Sequence, residues 1–326
     1  MAISLQSRYQ GVMLGLAAGD ALGTTVEFSQ PGSFAPLTDM VGGGPFGLAP
    51  GQWTDDTSMA ICLGESLVDC HGFNPRDQMD RYVRWWQTGY RSSTGACFDI
   101  GGTVRAALSS YLATGNPYSG STAPNTAGNG SLMRLGPIPL AYRRDPRRAL
   151  VMASDSSRTT HATIECLDAC RVWTALIIAA LTGWSKHDLC SMGWRQLPGF
   201  QPDNELAPRV AAVVNGSYRE RQPPQIRGLG YVVDSLEAAL WAFYRSESFR
   251  EGALLAANLG DDADTTAAIY GQLAGAYYGV EAVPQTWRAK LASYELITGL
   301  ADQLLEFSET VASADLPSTN AAENAS

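Results

Sequence analysis

Apolar residues recur along most of this chain at the three- to four-residue spacing of α-helices. Within residues 163–182, for example, Ile164, Leu167, Val172 and Leu176 fall at spacings that suit one or two buried helix faces. The alternation of apolar and polar residues that marks β-strands is scarce. Helical patterns occur at residues 5–20, 57–70, 76–88, 101–114, 147–154, 163–182, 233–245, 249–258, 264–279 and 285–308. We therefore predict an all-α fold.

Small residues within these predicted helices indicate that some of the helices pack closely together. They include Ala17 and Ala18 near the start of the chain, and Ala274, Gly275 and Ala276 near its end. Small side chains allow two helix axes to approach each other. We therefore expect close contacts between helices from opposite ends of the chain.

The segments between the predicted helices differ in character. Residues 28–53 and 115–138 are rich in glycine and proline, and long loops of this kind in a compact domain usually carry function. Residues 183–230 have the pattern of a polar, less regular connection. No change of composition marks a domain boundary, so residues 1–309 are expected to form one domain. Residues 310–326 are small and polar without periodicity, and we expect them to be disordered.

The overall composition is that of a folded globular protein with an acidic balance. Hydrophobic residues make up 45% of the 326 residues, charged residues make up 17%, and the formal net charge is −9. A chain of this length and apolar content can bury a sizeable core. The negative charge argues against a protein whose main task is to grip nucleic acid phosphates. Phosphates on a small substrate remain compatible, because bound cations and helix N-termini can meet them.

Cysteine usage and the start of the chain predict a reducing, cytoplasmic compartment. The six cysteines form no CxxC pair, so free thiols are expected. Residues 1–10 carry no apolar stretch of a secretory signal, and no apolar run approaches the length of a membrane span. The three histidines argue against a histidine-rich zinc site. No heptad pattern stands out, so a monomer is expected.

Two short acidic clusters lie far apart in the sequence, at 54–57 (TDDT) and 261–266 (DDADTT). Each precedes an apolar, helix-like segment, so capping of a helix is the simpler interpretation of either cluster alone. Clustered carboxylates repel one another, so burying both clusters close together requires a bound cation between them. Carboxylate and hydroxyl oxygens are hard ligands, which favours Mg²⁺, Mn²⁺ or Ca²⁺ over zinc.

Other segments carry candidate chemistry, and each also has a simpler structural explanation. Glu27 follows the glycines that would end the first helix, and could be a surface glutamate. Asp99 precedes a helix start and could be an N-cap. The sequence Gly128-Asn129-Gly130 can present backbone N–H groups to a phosphate, or form a tight turn. His161 stands amid hydroxyl residues, and a single histidine is more often structural than catalytic.

Taken together, these segments resemble the ADP-ribosylglycohydrolase family, in particular its bacterial branch that reactivates dinitrogenase reductase. The motifs GLAAGDALGTTVEF, GQWTDDTSMA, FDIGGT, AGNGSLMR, THAT, GYVVDSLEAALWAF and GDDADTTAAIYGQLAGAYYG fall in the family's order. The match runs through most of residues 8–308, although Gly102 stands where the nitrogenase-regulating enzyme has asparagine. The resemblance implies a compact, single-domain orthogonal helix bundle with two divalent cations, Mg²⁺ or Mn²⁺, in its active site.

The resemblance also implies site residues, each through a matching motif. The implied metal ligands are Thr54, Asp55, Asp56, Asp262, Asp264 and Thr265. Asp261 occupies a place where the family often has glycine, so it is left out of that set. The implied adenosine and phosphate contacts are Gly128, Asn129, Gly130, Ser131, His161 and Tyr231. Asp99 is the implied proton-transfer residue if arginine is the leaving group. Glu27 takes that role, or a gating role, if the leaving group is an oxygen.

These expectations lead to one preferred function and to several alternatives. The preferred function is a metal-dependent hydrolase that breaks the N-glycosidic bond between ADP-ribose and a protein side chain, with FDIGGT favouring arginine. Its partners would be an ADP-ribosylated protein and the product ADP-ribose, with no membrane and no nucleic acid. One alternative is a hydrolase of serine-linked or small-molecule ADP-ribose. Another is a catalytically idle relative that binds ADP-ribose or serves a structural role, as some lens crystallins of this family do.

Overall fold

Helices dominate the computed structural model, which describes residues 3–201 and 205–314. Within these residues there are fourteen α-helices and no β-sheet. The α-helices are α1 (Leu5–Gly23), α2 (Asp55–Asp69), α3 (Pro75–Thr88), α4 (Gly102–Thr114), α5 (Pro137–Ala141), α6 (Pro146–Arg158), α7 (Ile164–Leu181), α8 (Lys186–Ser191), α9 (Pro208–Val214), α10 (Val232–Arg245), α11 (Phe249–Ala257), α12 (Ala263–Tyr278), α13 (Gln285–Arg288) and α14 (Tyr294–Ala314). Short 3₁₀ helices lie at Thr24–Val26, Pro124–Thr126, Trp194–Gln196, Ser217–Arg219 and Val280–Ala282. The predicted all-α fold is confirmed.

The centre of the fold is an antiparallel helix pair, α1 and α12, whose backbones touch. Glycines recur at every fourth position of α1 from Gly11 onwards, and they face small residues of α12. A Cβ atom added at Gly15 would lie 2.2 Å from the carbonyl oxygen of Gly271, and one added at Gly271 would lie 1.9 Å from that of Gly15. No side chain fits in this seam, so the contact requires glycine. It places the C-terminal end of α1 beside the N-terminal end of α12.

Both central helices are buried on almost every side, which explains why apolar and small residues dominate their sequences. Helices α7, α10 and α11 pack against α12, and α2 and α14 pack against α1. Two acidic residues interrupt this apolar surround, Asp20 in α1 and Asp264 in α12, and both are buried. A buried carboxylate is costly unless it is paired or hydrogen-bonded, so these two positions require an explanation.

Most predicted helices are present, with boundaries that shift by a few residues. Helix α6 continues to Arg158, where the pattern predicted an end at residue 154, and α1 continues to Gly23 instead of residue 20. Helix α2 begins at Asp55, where the pattern predicted a start at residue 57. The carboxylates of the first acidic cluster therefore belong to the first helical turn, where the helix dipole favours negative charge.

The predicted single helix at 285–308 is wrong, because α13 ends at Arg288 and α14 begins at Tyr294. Local backbone hydrogen bonds continue through Leu291, and the backbone of Ala292 then makes tertiary hydrogen bonds instead. The Ala292 N–H donates to the carbonyl oxygen of Gly51, and the Ala292 carbonyl accepts from the indole of Trp53. Periodicity cannot reveal such a break, since its cause lies in a loop far away in the sequence.

Two segments that were predicted to be irregular contain helical residues. The stretch 183–230, predicted as an irregular connection, contains the short helices α8 and α9. Helix α14 continues to Ala314, so the first five residues of the segment predicted to be disordered are helical. Residues 315–326 lie outside the described part of the chain.

The six cysteines are unpaired, as expected. Among the described helices, none has the length and apolarity needed to span a membrane.

Candidate active site

The first acidic cluster opens α2, and the start of this helix is capped from another helix. Thr54 is the N-cap residue, yet its side chain makes no capping hydrogen bond. The Asp20 carboxylate of α1 accepts instead from the backbone N–H groups of Thr54 (2.8 Å) and Thr57 (3.0 Å). It also accepts from the two threonine hydroxyls, at 3.0 and 2.6 Å. The sequence analysis missed Asp20, although a carboxylate within an otherwise apolar helix was the available signal.

The two acidic clusters meet at the hydroxyl of Thr54. Carboxylate oxygens of Asp20, Asp56 and Asp264 lie 3.0, 3.1 and 3.2 Å from Thr54 Oγ1. A hydroxyl group has one proton to donate, so it cannot satisfy three carboxylates. The second oxygens of Asp56 and Asp264 are buried and have no hydrogen-bond partner among the described residues. Asp262, the N-cap residue of α12, likewise makes no side-chain capping bond. Helix capping therefore does not explain these acidic side chains.

The carboxylates form two overlapping groups that share Asp264. In the first group, oxygens of Asp20, Asp56 and Asp264 all lie within 4.8 Å of one another. In the second group, oxygens of Glu27, Asp262 and Asp264 satisfy the same limit. Converging carboxylate oxygens, two of them unpartnered, are the donor set that Mg²⁺ or Mn²⁺ accepts. The residues present therefore fit divalent cations.

Burial and mutual repulsion raise the pKa values of the carboxyl groups in this assembly. Burial, reinforced first by Asp99, raises the pKa of Glu27 to about 9. Burial, reinforced by Asp20 and Asp262, raises the pKa of Asp99 to about 8. Burial also raises the pKa of Asp20 to about 6, against the opposing effect of the hydrogen bonds it accepts. The same causes, burial first, raise the pKa well above its usual range at Asp55, Asp56 and Asp264.

Of these carboxylates, Glu27, Asp55 and Asp99 line a cavity of about 660 Å³. Of the predicted ligands, Asp55, Asp262 and Thr265 line the cavity. Thr54, Asp56 and Asp264 are buried and do not contribute to its wall. The two predicted proton-transfer residues, Glu27 and Asp99, both line the cavity, and the charge of Asp99 contributes to the raised pKa of Glu27.

Asn129 connects residues 128–130, which we call the glycine loop, to the carboxylate of Asp262. Its side-chain amide donates to Asp262 Oδ2 at 2.7 Å and to the hydroxyl of Ser235 at 2.9 Å. Its backbone N–H donates to the carbonyl oxygen of Gly230 at 3.1 Å. Gly128, Asn129 and Gly130 all line the cavity. Asn129, predicted as a substrate contact, thus also fixes the orientation of a predicted metal ligand.

His161 lies behind the same two glycines, with its ring in a fixed orientation. Thr160 Oγ1 accepts from the Arg134 guanidinium at 2.7 Å and lies 2.9 Å from His161 Nδ1. If the ring donated to Thr160, the Thr160 proton would lack an acceptor among the described residues, so this geometry favours N–H at Nε2. Burial, reinforced by Arg134, lowers the pKa of His161 to about 3, which keeps the ring neutral. A Cβ atom at Gly128 or Gly130 would come within 3.3 or 3.2 Å of Nε2, so the glycines leave that donor accessible from the cavity.

Two predicted substrate contacts, Ser131 and Tyr231, are not part of the cavity wall. The Ser131 hydroxyl is buried and accepts from the hydroxyl of Ser157 at 2.8 Å. The Tyr231 ring faces the guanidinium of Arg209, 4.9 Å from the ring centroid. A backbone bridge between Gly128 and Tyr231 joins the glycine loop to the start of α10. The structure therefore gives both residues a supporting position beside the cavity.

Asp261, the first residue of the second acidic cluster, lines the cavity but is paired with a basic residue. The Asp261 side chain, left out of the predicted ligand set, forms an ion pair with Arg227, at 2.8 Å between Oδ2 and Nη2. Its backbone nevertheless contributes to the site. The Phe28 N–H donates to the Asp261 carbonyl, and the Asp261 N–H donates to the Ser29 carbonyl, at 2.7 and 2.8 Å. These bonds hold the loop that carries Glu27 against the start of α12.

Comparison with known proteins places this architecture in a family. The family model described as ADP-ribosylglycohydrolase matches residues 1–313. The chain is 42% identical over 295 residues to "ADP-ribosylarginine hydrolase Tri1" of Serratia proteamaculans (strain 568), covering 90% of this chain and 78% of that relative. It is 32% identical over 295 residues to "ADP-ribosyl-[dinitrogen reductase] glycohydrolase" of Rhodospirillum rubrum, and this match covers 88% of this chain and 91% of that relative.

A solved structure has the same fold. It is described as "ADP-ribosylglycohydrolase-related protein complex", has a TM-score of 0.83 and 45% sequence identity, and the match covers 93% of this chain and 99% of that one. The family and enzyme class predicted from the motifs are therefore confirmed. Because the family model matches nearly the whole chain and a solved structure shares its fold, the chain belongs to the ADP-ribosylglycohydrolase family.

Proposed function

We propose that this protein hydrolyses the N-glycosidic bond between ADP-ribose and an arginine side chain of a modified protein, with two divalent cations, Mg²⁺ or Mn²⁺, as cofactors. The observation that carries the proposal is the pair of overlapping carboxylate groups at one side of a cavity that also presents Glu27 and Asp99. The printed names of the relatives that are 42% and 43% identical, both ADP-ribosylarginine hydrolases, support arginine as the modified residue.

The side chains that would hold the cations come from both acidic clusters. Thr54, Asp55 and Asp56 would serve from α2, and Asp262, Asp264 and Thr265 from α12. The carboxylate groups around Asp264 add Asp20 and Glu27 as further oxygen donors. Bound ions of this kind supply Lewis-acid stabilisation to oxygen atoms that carry charge. The unpartnered oxygens of Asp56 and Asp264 support this role, because a cation would satisfy them.

Asp99 and Glu27 are the groups placed to move protons during bond cleavage. Both carboxyl groups line the cavity, whereas Asp56 and Asp264 are buried away from its wall. Cleavage of a ribose–nitrogen bond leaves a basic guanidine, which requires a proton, and a carboxyl group at the wall can transfer it. Asp99 is our first choice for the leaving nitrogen. Glu27, which lines the same cavity, would take this role or a gating role if the leaving atom is an oxygen.

The glycine loop and His161 would hold the diphosphate end of ADP-ribose. His161 presents a neutral Nε2–H between Gly128 and Gly130, and the glycines allow a ligand to approach the backbone closely. A neutral N–H donor and backbone N–H groups suit phosphate oxygens. Ser131 and Tyr231 would act through the loop, since their side chains lie beside the cavity wall and do not form part of it.

A release assay tests this proposal. Peptides that carry arginine- or serine-linked ADP-ribose, and an oligonucleotide that carries base-linked ADP-ribose, would be incubated with the protein and Mg²⁺, Mn²⁺ or EDTA. We expect release of ADP-ribose from the arginine linkage, loss of release in EDTA, and loss of both turnover and metal binding in Asp264→Asn. Asp69→Asn is the matched control, because Asp69 is an exposed acid at the far end of α2. Binding of ADP-ribose without release from any linkage would refute the enzyme and favour an idle relative.

A further inference from the structure

Three phenylalanine rings from separate segments meet at the mouth of the cavity, and we call them the aromatic rim: Phe28, Phe46 and Phe98. The ring centroids of Phe28 and Phe46 lie 6.4 Å apart with an interplanar angle of 77°. Those of Phe46 and Phe98 lie 5.2 Å apart with an angle of 59°. Phe28 lines the cavity. Phe28 directly follows Glu27 in the sequence, and Phe98 directly precedes Asp99. The aromatic rim therefore contains the residues that follow Glu27 and precede Asp99 in the chain.

Phe28 is held in an exposed position that folding alone does not favour. The residue is 65% exposed, and its φ of 60° lies in the left-handed region that bulky residues rarely adopt. The reciprocal backbone hydrogen bonds with Asp261 hold this conformation. A ring that is 65% exposed buries little apolar surface, so it contributes little hydrophobic stability to offset the strained backbone. Its position is explained if the ring face binds a ligand.

Phe46 supports the Phe28 ring from a rigid turn. Paired backbone hydrogen bonds between Gly43 and Leu48, at 2.7 and 2.9 Å, close the turn that carries Phe46. Gly44 packs so closely on the backbone of Thr24 that an added Cβ atom would lie 2.1 Å from the Thr24 carbonyl oxygen. The turn is therefore fixed on the segment just before Glu27. Phe46 is partly buried between its two aromatic neighbours, which leaves Phe28 as the ring with a free face.

The charge of the surroundings identifies the occupant. Within the described chain, no lysine or arginine contributes to the cavity wall, whereas Glu27, Asp55, Asp99 and Asp262 do. The faces of aromatic rings are themselves electron-rich and attract cations. A planar guanidinium group can stack on such a face while its N–H groups reach nearby carboxylates. A serine leaving group offers neither the plane nor the charge.

We infer that Phe28, supported by Phe46 and Phe98, binds the guanidinium of the modified arginine and so selects arginine over serine. We call Phe28 in this role the acceptor platform. This inference rests on the proposed function. Phe28 is a specificity-determining residue in this scheme, and takes no part in proton transfer. It contacts the leaving group, while the glycine loop and His161 hold the ADP-ribose end. The platform and the ADP-ribose contacts are therefore separable by mutation.

The test compares Phe28→Leu, which keeps an apolar side chain but removes the ring, with Phe28→Tyr, which keeps the ring. We expect kcat/KM for an arginine-linked peptide to fall by about 3- to 30-fold in Phe28→Leu, the factor that a cation–π contact is worth. Phe28→Tyr should stay within about twofold of wild type, and affinity for free ADP-ribose should be unchanged in both variants. An equal loss for arginine- and serine-linked peptides, or weaker binding of ADP-ribose, would overturn the inference.

A second measurement keeps the inference testable if the proposed reaction fails. Calorimetry in EDTA would compare the binding of arginine- and serine-linked ADP-ribosyl peptides, so that turnover is not needed. Wild type should prefer the arginine-linked peptide, and Phe28→Leu should lose that preference with an unchanged thermal midpoint. No release from arginine by wild type, with the binding preference intact, would count against the proposed function alone. Absence of the preference in wild type would count against the platform.

Discussion

Single polar side chains determine how the acidic residues of this site are oriented. Asp20 accepts hydrogen bonds from Thr54 and Thr57, and so links α1 to the start of α2. Asn129 links the glycine loop to Asp262. Arg134, fully buried, donates to Thr160 beside His161. In these contacts Asn129 and Arg134 act as positioning residues, whereas Asp20 both orients the start of α2 and contributes an oxygen to the first carboxylate group.

Removal of the Asn129 amide should weaken metal binding without unfolding the protein. In Asn129→Ala, Asp262 loses the donor that fixes its carboxylate, and loss of such an outer partner typically reduces metal affinity or activity about 10- to 100-fold. We expect the Mg²⁺ concentration at half-maximal activity to rise by that factor. Asn116→Ala, in an exposed turn away from the cavity, is the control. An unchanged metal dependence in Asn129→Ala would contradict this role.

The tautomer of His161 can be observed directly by NMR. Because burial and Arg134 lower its pKa to about 3, the ring should stay neutral between about pH 5 and 8, with its proton on Nε2. Spectra of ¹⁵N-labelled histidine would report the protonated nitrogen. His71 and His187 are exposed and supply reference signals in the same spectrum. In Arg134→Met, the preference for Nε2–H should weaken. A charged His161 at pH 6 would be inconsistent with the buried arrangement.

At the scale of secondary structure, the glycine seam between α1 and α12 brings the acidic clusters together. The pair is antiparallel, so the end of α1, with Asp20 and then Glu27, meets the start of α12 with Asp262 and Asp264. Backbone contact at four successive glycines of α1, over about three helical turns, leaves little freedom to slide. A larger residue in the seam would separate the helices and therefore the two groups of carboxylates.

Substitution in the seam should cost far more than substitution of an exposed helix glycine. In Gly271→Ala the new Cβ atom would lie 1.9 Å from the carbonyl oxygen of Gly15, so the helices must move apart. We expect the free energy of unfolding to fall by about 3 kcal/mol or more. In the control Gly299→Ala, no described atom lies within 4 Å of the new Cβ atom, and stability should rise by up to about 1 kcal/mol. Denaturant unfolding measures both, and equal effects would contradict the role of the seam.

At the scale of the whole molecule, the site concentrates negative charge in the interior of a protein that is already acidic. The net charge is −9, and the carboxylates around Asp264 are buried. Folding without cations must either protonate these groups or tolerate their repulsion. Stability is therefore expected to depend on both pH and divalent cations.

Without cations, the protein should lose stability as the pH rises from 6 to 9. Groups with a raised pKa bind protons more tightly when folded, so the stability they contribute is complete below their ordinary pKa of about 4. It is lost as the pH rises through the folded pKa values of about 6 for Asp20, about 8 for Asp99 and about 9 for Glu27. The thermal midpoint in EDTA should fall across this window.

Cation addition should reverse that loss. At a free concentration of one hundred times Kd, Mg²⁺ or Mn²⁺ should add about 2.7 kcal/mol per site. At one fixed cation concentration the gain should be larger at pH 8 than at pH 6, because protons compete with the cation for the carboxylates. Thermal melts at several pH values, with EDTA or with cation, measure this. Asp264→Asn should abolish the response, and Asp69→Asn should keep it. A midpoint in EDTA that does not change with pH would contradict the electrostatic account.

Most helices, their apolar faces and the acidic motifs could be predicted from the sequence, because helix periodicity and local chemistry depend on neighbouring residues. The order of several motifs also indicated the family. The role of Asp20, the break in the helix predicted at 285–308 and the carboxylates that group with Glu27 became visible only in the folded structure. These outcomes depend on contacts between residues far apart in the chain. The glycine seam sets those contacts through backbone distances that no local pattern contains.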